Sequence, residues 1–408
     1  MLKKALSNKL ATIGKDAAIN IVLVANAFIW YFYAFRYLFN SVTAITDFDV
    51  LIIYGIHFLG VAVSAILSAS FVGRLKQRRT FLRYWMVAGI ILSLAPIIVD
   101  AAATFPTLMI VSAVLGVYFG LGMPTCMGYF ASATDVGNRA RSGGITVLLI
   151  GVGFFLLGSL QIQTAVIAAS ILATWRAAGL ILLFFLKPNE NQVDIKRSES
   201  FRTIFSNRSF LLYFMPWFMF SLVNNMAFPV SEKFFTADFV QSSLIIENAL
   251  SGIFALVFGF FADFVGRKRM ALAGFALLGV GYAVLGLFPG VYVVWWFYIA
   301  IDGIAWGAFL TLFLTTIWGD LAQERSSEKY YAIGSLPYLV SNFARQSLGT
   351  YVAATVTETT VFSFASVFLF LAVLPLVYAP ETLPEKNIKD RELKMYLEQA
   401  QKIKAKQT

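Results

Sequence analysis

Twelve runs of about 20 apolar residues, separated by short polar stretches, leave this chain few folds to adopt. They cover residues 17–39, 50–72, 81–101, 107–131, 143–160, 165–186, 210–230, 239–262, 270–288, 292–318, 331–354 and 359–379. In hydrocarbon a backbone must satisfy its own hydrogen bonds, so only helices and closed barrels span it, and runs of this length suit helices. The chain is 59% hydrophobic and 13% charged over 408 residues, well outside the balance of a soluble domain. The expected fold class is an all-α membrane protein with twelve transmembrane helices.

A net charge of +10 could point to nucleic acid, but the placement of the basic residues argues otherwise. Twelve crossings put 28 of the 32 Lys and Arg on one side, in the start of the chain, in alternate loops and in the tail. By the positive-inside rule both termini are cytoplasmic and the protein sits in the cytoplasmic membrane. The charge reports topology and contact with anionic lipid, and no nucleic-acid partner is expected. The basic start runs into a full-length span with no small-residue cleavage site, so a cleaved signal peptide is not expected. Cys126 is the only cysteine, which excludes an internal disulfide.

The polar stretch from Lys187 to Arg208 divides the spans six and six, and each half has a basic loop after its second span and a charged loop after its fourth. That is the plan of a two-repeat transporter. The expected domains are a six-helix bundle over 1–186, an interdomain linker over 187–209, a pseudo-symmetric six-helix bundle over 210–380 and a cytoplasmic tail over 381–408. From Glu385 the tail intersperses Leu393, Tyr396, Leu397 and Ile403 among charges, so it reads as a surface helix or a solvated tail. Gly144, Gly151 and Gly158 in the fifth span, and Gly252 and Gly259 in the eighth, make small-residue faces that allow close helix approach.

The loop after the eighth span runs Gly259-Phe-Phe-Ala-Asp263-Phe-Val-Gly266-Arg267-Lys268-Arg269. It is similar to the G-x-x-x-D-x-x-G-R-[RK] signature of the major facilitator superfamily, which the chain resembles over nearly its whole length. The resemblance implies a secondary transporter that works by alternating access, with the fifth and eighth spans meeting between the halves. It also implies a conformational latch made of Gly259, Asp263, Gly266, Arg267, Lys268 and Arg325. The acid can meet the positive N-terminus of a neighbouring helix. Asp263 is expected to pair with the start of the eleventh span or with Arg325, and Arg267 with Asp320 or Glu324. The matching loop of the first half has Gly73 where the family carries its acid, so any latch there is weaker or differently wired. Asp135 ahead of Arg141-Ser-Gly, and Pro380-Glu381-Thr382 after the last span, resemble elements of the sugar-porter and organic-ion branches.

In that family the first, fourth, seventh and tenth spans line the central path. Each carries a polar-aromatic stripe, from which come Asn26, Trp30, Tyr33 and Arg36; Tyr118; Trp217, Asn224 and Asn225; Asp302 and Trp306. Asn342 and Arg345 share a similar face on the eleventh span. These are the expected substrate-binding residues. Charge at bilayer depth is costly and marks function, which singles out Arg36, Arg176, Arg345, Glu247 and Asp302. Asp302 and Arg345 are either a static pair or one that opens to substrate. Glu247, Asp302 and His57 are the candidates for proton coupling, although Glu247 can equally pair with Arg36 or Lys233, and a lone His more often serves packing. Arg36 can snorkel, whereas Arg176 needs an internal partner among carbonyls or hydroxyls such as Thr174.

The expectation is a monomeric carrier for a small organic solute bearing an anionic group, moved with protons by symport. A sugar or drug/proton carrier and a non-transporting sensor are the alternatives. No nucleophile-base-acid grouping, metal set or phosphate loop appears, so no enzyme, cofactor or metal is expected.

Overall fold

The computed structural model describes residues 13–41, 46–72, 78–159, 164–186, 199–234, 237–323 and 326–383. Among them the regular elements are helical throughout. The twelve long helices are α1 (Lys15–Asn40), α2 (Asp47–Val72), α3 (Arg78–Ala101), α4 (Phe105–Ala133), α5 (Arg139–Ser159) and α6 (Ala165–Leu186), then α7 (Arg208–Ser231), α8 (Ala237–Val265), α9 (Arg267–Leu287), α10 (Tyr292–Ala322), α11 (Ser327–Thr355) and α12 (Glu358–Tyr378). A short helix, Phe201–Phe205, precedes α7. The polar tail beyond residue 383, the loop at 73–77 and most of the linker lie outside the described residues.

Eleven of these helices are long and apolar enough to cross a bilayer. The exception is α11, in which Glu328, Lys329, Asn342, Arg345 and Gln346 dilute the apolar residues. Its 29 residues still reach about 43 Å at 1.5 Å per residue, ample for a crossing. A helix this polar is stable in a membrane only if its polar side chains face protein or a cavity. On the outside, Phe71, Tyr84, Phe185, Leu287 and Tyr378 are exposed, as lipid-facing side chains are.

Within the first half α2 packs on α4, α3 on α6, and α1 on α4 and α6; in the second half α9 packs on α12, α7 on α11 and α12, and α8 on α10. The halves meet where α5 crosses α8 and where α2 crosses α11. The glycine faces explain the first crossing. A Cβ at Gly144 would strike the Ala255 carbonyl, and one at Gly259 would strike the Ala140 carbonyl, so only glycine lets the two backbones lie this close.

Two irregularities shape the interior. The third span breaks between Leu92 and Ala95, and Pro96 starts its second piece. At the break Ser93 donates to the Gly89 carbonyl and accepts from Trp30 Nε1. In α10 residues Leu310–Thr316 form a π-helical segment. The Thr315 and Thr316 hydroxyls both donate to the Thr311 carbonyl, at 2.6 and 2.7 Å, back-bonding of the kind that bends helices. Such segments concentrate at functional sites, and this one lies against the interface with α5, where a Cβ at Gly143 would strike Thr315.

Candidate substrate chamber and its latch

A cavity of about 340 Å³ lies between the halves. From the first half α1 contributes Phe28, Tyr31, Phe32 and Phe35, α4 contributes Phe119 and Met123, and α5 contributes Ile150 and Phe154. From the second half come Trp217 on α7, Glu247 and Ser251 on α8, Trp306 and Phe313 on α10, and Tyr338 and Asn342 on α11. Its walls are tied together by ring stacking and a hydrogen bond. Tyr31 stacks on Phe119 at 3.6 Å between ring centres, and Trp217 on Phe313 at 5.1 Å, while Trp217 Nε1 donates to the Gly334 carbonyl at 3.0 Å. Gly334 is needed there, because a Cβ would enter the ring of Trp318, another wall residue.

A second cavity, of about 200 Å³, lies within the second half. Asn224, Asn225, Ser243, Tyr282, Asp302 and Arg345 line it, and Glu247, Trp306, Tyr338 and Asn342 line both cavities. Asp302 is buried; Tyr298 hydrogen-bonds to it and Glu247 repels it, while its Oδ1 has no partner among the described residues. Gly303 makes this closeness possible, since a Cβ there would strike the Glu247 backbone. The expected pairing of Asp302 with Arg345 does not form among the described residues. The Arg345 guanidinium instead lies 3.8 Å over the ring of Phe228, and Glu232 supplies the nearby negative charge. Partial burial pushes the Glu232 carboxyl above its ordinary value, and Arg345 pulls it back. Neither Arg36 nor Lys233 pairs with Glu247 among the described residues; its charged neighbour is Asp302. Asn224 accepts from the Tyr282 hydroxyl at 2.8 Å, which fixes its carbonyl.

Several expected binding residues lie elsewhere. Asn26, Trp30 and Tyr118 line neither cavity but gather around Arg176 inside the first half. Arg176 is fully buried; it donates to Asn26 Oδ1 at 3.0 Å and twice to the Tyr118 hydroxyl, at 2.9 and 3.2 Å, and its guanidinium lies 4.2 Å over Trp85. The stripe on α1 thus serves a different interior from the expected one. A buried cation draws the nearest acceptor and π faces to itself, and α1 turns its phenylalanines to the chamber instead. Tyr33 is partly exposed and Arg36 exposed, and neither lines either of these two cavities, as snorkelling side chains would not. None of the three intramembrane arginines, Arg36, Arg176 and Arg345, lines the central chamber, so among the described residues the expected anionic group of the solute finds no cationic partner there. His57 is buried away from it, with Nδ1 3.0 Å from the Ser112 carbonyl and Nε2 2.7 Å from the Tyr31 hydroxyl. A neutral ring that donates from Nδ1 and accepts at Nε2 satisfies both contacts, so the geometry is that of a packing residue.

The end of the bundle bearing the basic loops is shut by an ion network that joins the halves. Asp263 accepts from the backbone N–H groups of Ala140 and Arg141, at 3.2 and 3.0 Å, in the first turn of α5. The helix it meets is thus α5, not the expected α11, because the Gly259 crossing brings the start of α5 to this loop. Arg267 is fully buried and bonds Asp263 Oδ1 and Asp320 Oδ2, both at 3.0 Å, as well as the Val136 carbonyl. Arg139 binds the other oxygen of Asp320. Gly266 has φ of 114°, and Glu381 caps the start of α9 through the N–H groups of Arg267 and Lys268, at 2.8 and 3.2 Å. Lys268 itself reaches the Val377 carbonyl, outside the acid network. Arg78 and Glu328, 2.7 Å apart, make a second tie between the halves. Arg325 and Glu324 lie outside the described residues. Four members of this network, Arg78, Arg139, Glu328 and Glu381, were not expected as latch residues. Arg139 and Glu381 stand within the two short elements that resemble family branches, whereas Arg78 and Glu328 carry no such signal.

No family model and no curated protein matches the sequence. Solved structures do match. The proton:xylose symporter XylE, bound to 6-bromo-6-deoxy-D-glucose, is similar with a TM-score of 0.67 at 14% identity over 89% of this chain and 96% of that one. The E. coli fucose:proton symporter FucP gives 0.71 at 11% identity, over 90% and 100% of the two chains. The human organic anion transporter MFSD10 gives 0.65 at 13%, over 89% and 100%.

Proposed function

Because the chain has the major facilitator fold, we propose that it is a secondary transporter that carries a small organic solute by alternating access, coupled to protons. The observation that carries this reading is the aromatic chamber shared by both halves, beneath which an ion network locks one end. If the basic loops are cytoplasmic, this conformer has its cytoplasmic gate shut. The halves would rock about the glycine crossing of α5 and α8, and the network would break and re-form with each cycle.

Proton coupling is assigned to Glu247 and Asp302. Two carboxyls that repel one another in a low-dielectric interior favour sharing a proton over ionising together, and Glu247 faces the chamber from that pair. Counterflow in proteoliposomes, with a panel of organic cations, anions and sugars, tests the reading. Exchange of at least one of them, steepened by a pH gradient, is expected. If none exchanges with or without the gradient, the transporter reading fails and a membrane sensor of the same fold takes its place.

A further inference from the structure

We infer that the solute is a lipophilic organic cation, held at Glu247 and released in exchange for a proton. The inference rests on the proposed transport only for the steps after binding; binding can be tested alone.

Among the described residues, Glu247 is the one Asp, Glu, Lys or Arg that lines the central chamber. Aromatic residues make 13 of the 28 lining positions, so a solute meets π faces or ring edges over much of the wall. Ring faces stabilise a cation through their quadrupoles while ring edges carry the opposite partial charge, so the Glu247 carboxylate decides for a cation. The polar remainder is thin, with Asn248, Ser251, Ser335 and Asn342 the main hydrogen-bonding side chains besides the tyrosines. A sugar, with a hydroxyl on most of its carbons, would leave many of them unpaired there. A volume of about 340 Å³ is in the range of sites for small organic ligands.

Exchange is a consequence of where Glu247 sits. Its carboxylate can balance one positive charge, either a proton or the cation. With Asp302 behind it, the site is most costly when both acids are ionised and neither a proton nor a solute is present. The titratable and charged groups around it are Asp302 and Tyr298 on α10, Tyr282 on α9, Tyr338 and Arg345 on α11, Glu232 after α7 and, across the chamber, Tyr31 on α1. When the cation binds, the proton leaves the Glu247 carboxyl for solvent, and on the other side of the membrane the reverse occurs.

Tetraphenylphosphonium and tetraphenylborate have nearly the same size and shape and opposite charge. Added to the purified full-length protein in detergent, each is followed by quenching of tryptophan fluorescence, since Trp217, Trp306 and Trp318 line the chamber. The phosphonium is expected to bind at least about tenfold more tightly than the borate, and in weakly buffered solution its binding should acidify the medium. Glu247→Gln should abolish both the preference and the acidification, and Glu247→Asp should retain them. Equal or tighter binding of the borate by the unmodified protein overturns the inference without recourse to any variant, as does a Glu247→Gln protein that keeps the preference. Preferential phosphonium binding with no exchange in proteoliposomes would uphold the binding site and sink the transport reading.

Discussion

At the scale of single residues, Arg176, fully buried inside the first half, shows how a charge organises its surroundings. Among the described residues no carboxylate contacts Arg176; Asn26, Tyr118 and the indole of Trp85 share its stabilisation. Asn26→Ala should lower stability by about 1–3 kcal/mol, the range for a lost hydrogen bond to a buried charge. Thermal unfolding in detergent measures this, and solute affinity should be unchanged because Asn26 does not reach the chamber. A loss of affinity at unchanged stability would return Asn26 to the binding site. Asp302→Asn makes the complementary case. It removes the charge that opposes Glu247, so counterflow should persist while accumulation driven by a pH gradient is lost. Transport assays with and without the gradient separate the two. The residues themselves are legible in the sequence, since charge and amide groups at bilayer depth stand out. Their partners are not: Asn26 and Arg176 are 150 positions apart, and no local pattern links them.

At the scale of elements, a helix face unlike lipid can be read from periodicity, but a face does not say which interior it meets. On α10 and α11, Trp306 and Asn342 reach the chamber as their stripes imply. On α1 and α4, the same logic points to Trp30 and Tyr118, which pack on each other at 5.0 Å inside the first half. A single helix has several buried sides in a bundle, and periodicity marks only the exposed one. The glycine faces are more readable, because close approach needs the same small residues whichever way the helices move. Gly144→Val should disrupt the α5–α8 crossing by forcing side-chain atoms into the Ala255 carbonyl, at a cost of about 1–3 kcal/mol, with exchange falling steeply. Stability and counterflow measured on the same preparation check it; full activity would mean that the crossing has slack. The π-helical segment of α10 leaves no usable mark in the sequence beyond Thr315 and Thr316, which are common enough in ordinary helices.

At the scale of the whole molecule, the network around Asp320 gathers Arg139 from the first half and Arg267 from the second on one carboxylate. Asp320→Asn would leave two buried guanidinium groups competing for Asp263 and backbone carbonyls, and the shut end should open more often. Spin labels at Asp135 and Arg269, both exposed, in a Cys126→Ser background would report this as a longer distance component in double electron–electron resonance. An unchanged distribution would show that the glycine crossing and the Arg78–Glu328 tie hold that end by themselves.

The sequence by itself determined the number, length and order of the helices, the expected sidedness of the loops and the signature that Gly266 and Asp263 carry. Each of these depends on a segment's own solvation or backbone geometry, so it is written locally. Only the tertiary structure decided that Asp263 meets α5, that Glu247 faces the chamber with Asp302 behind it, and that the arginines stand outside it. Coulomb and hydrogen-bond energies depend on distances in space, and residues remote along the chain set those distances when helices pack.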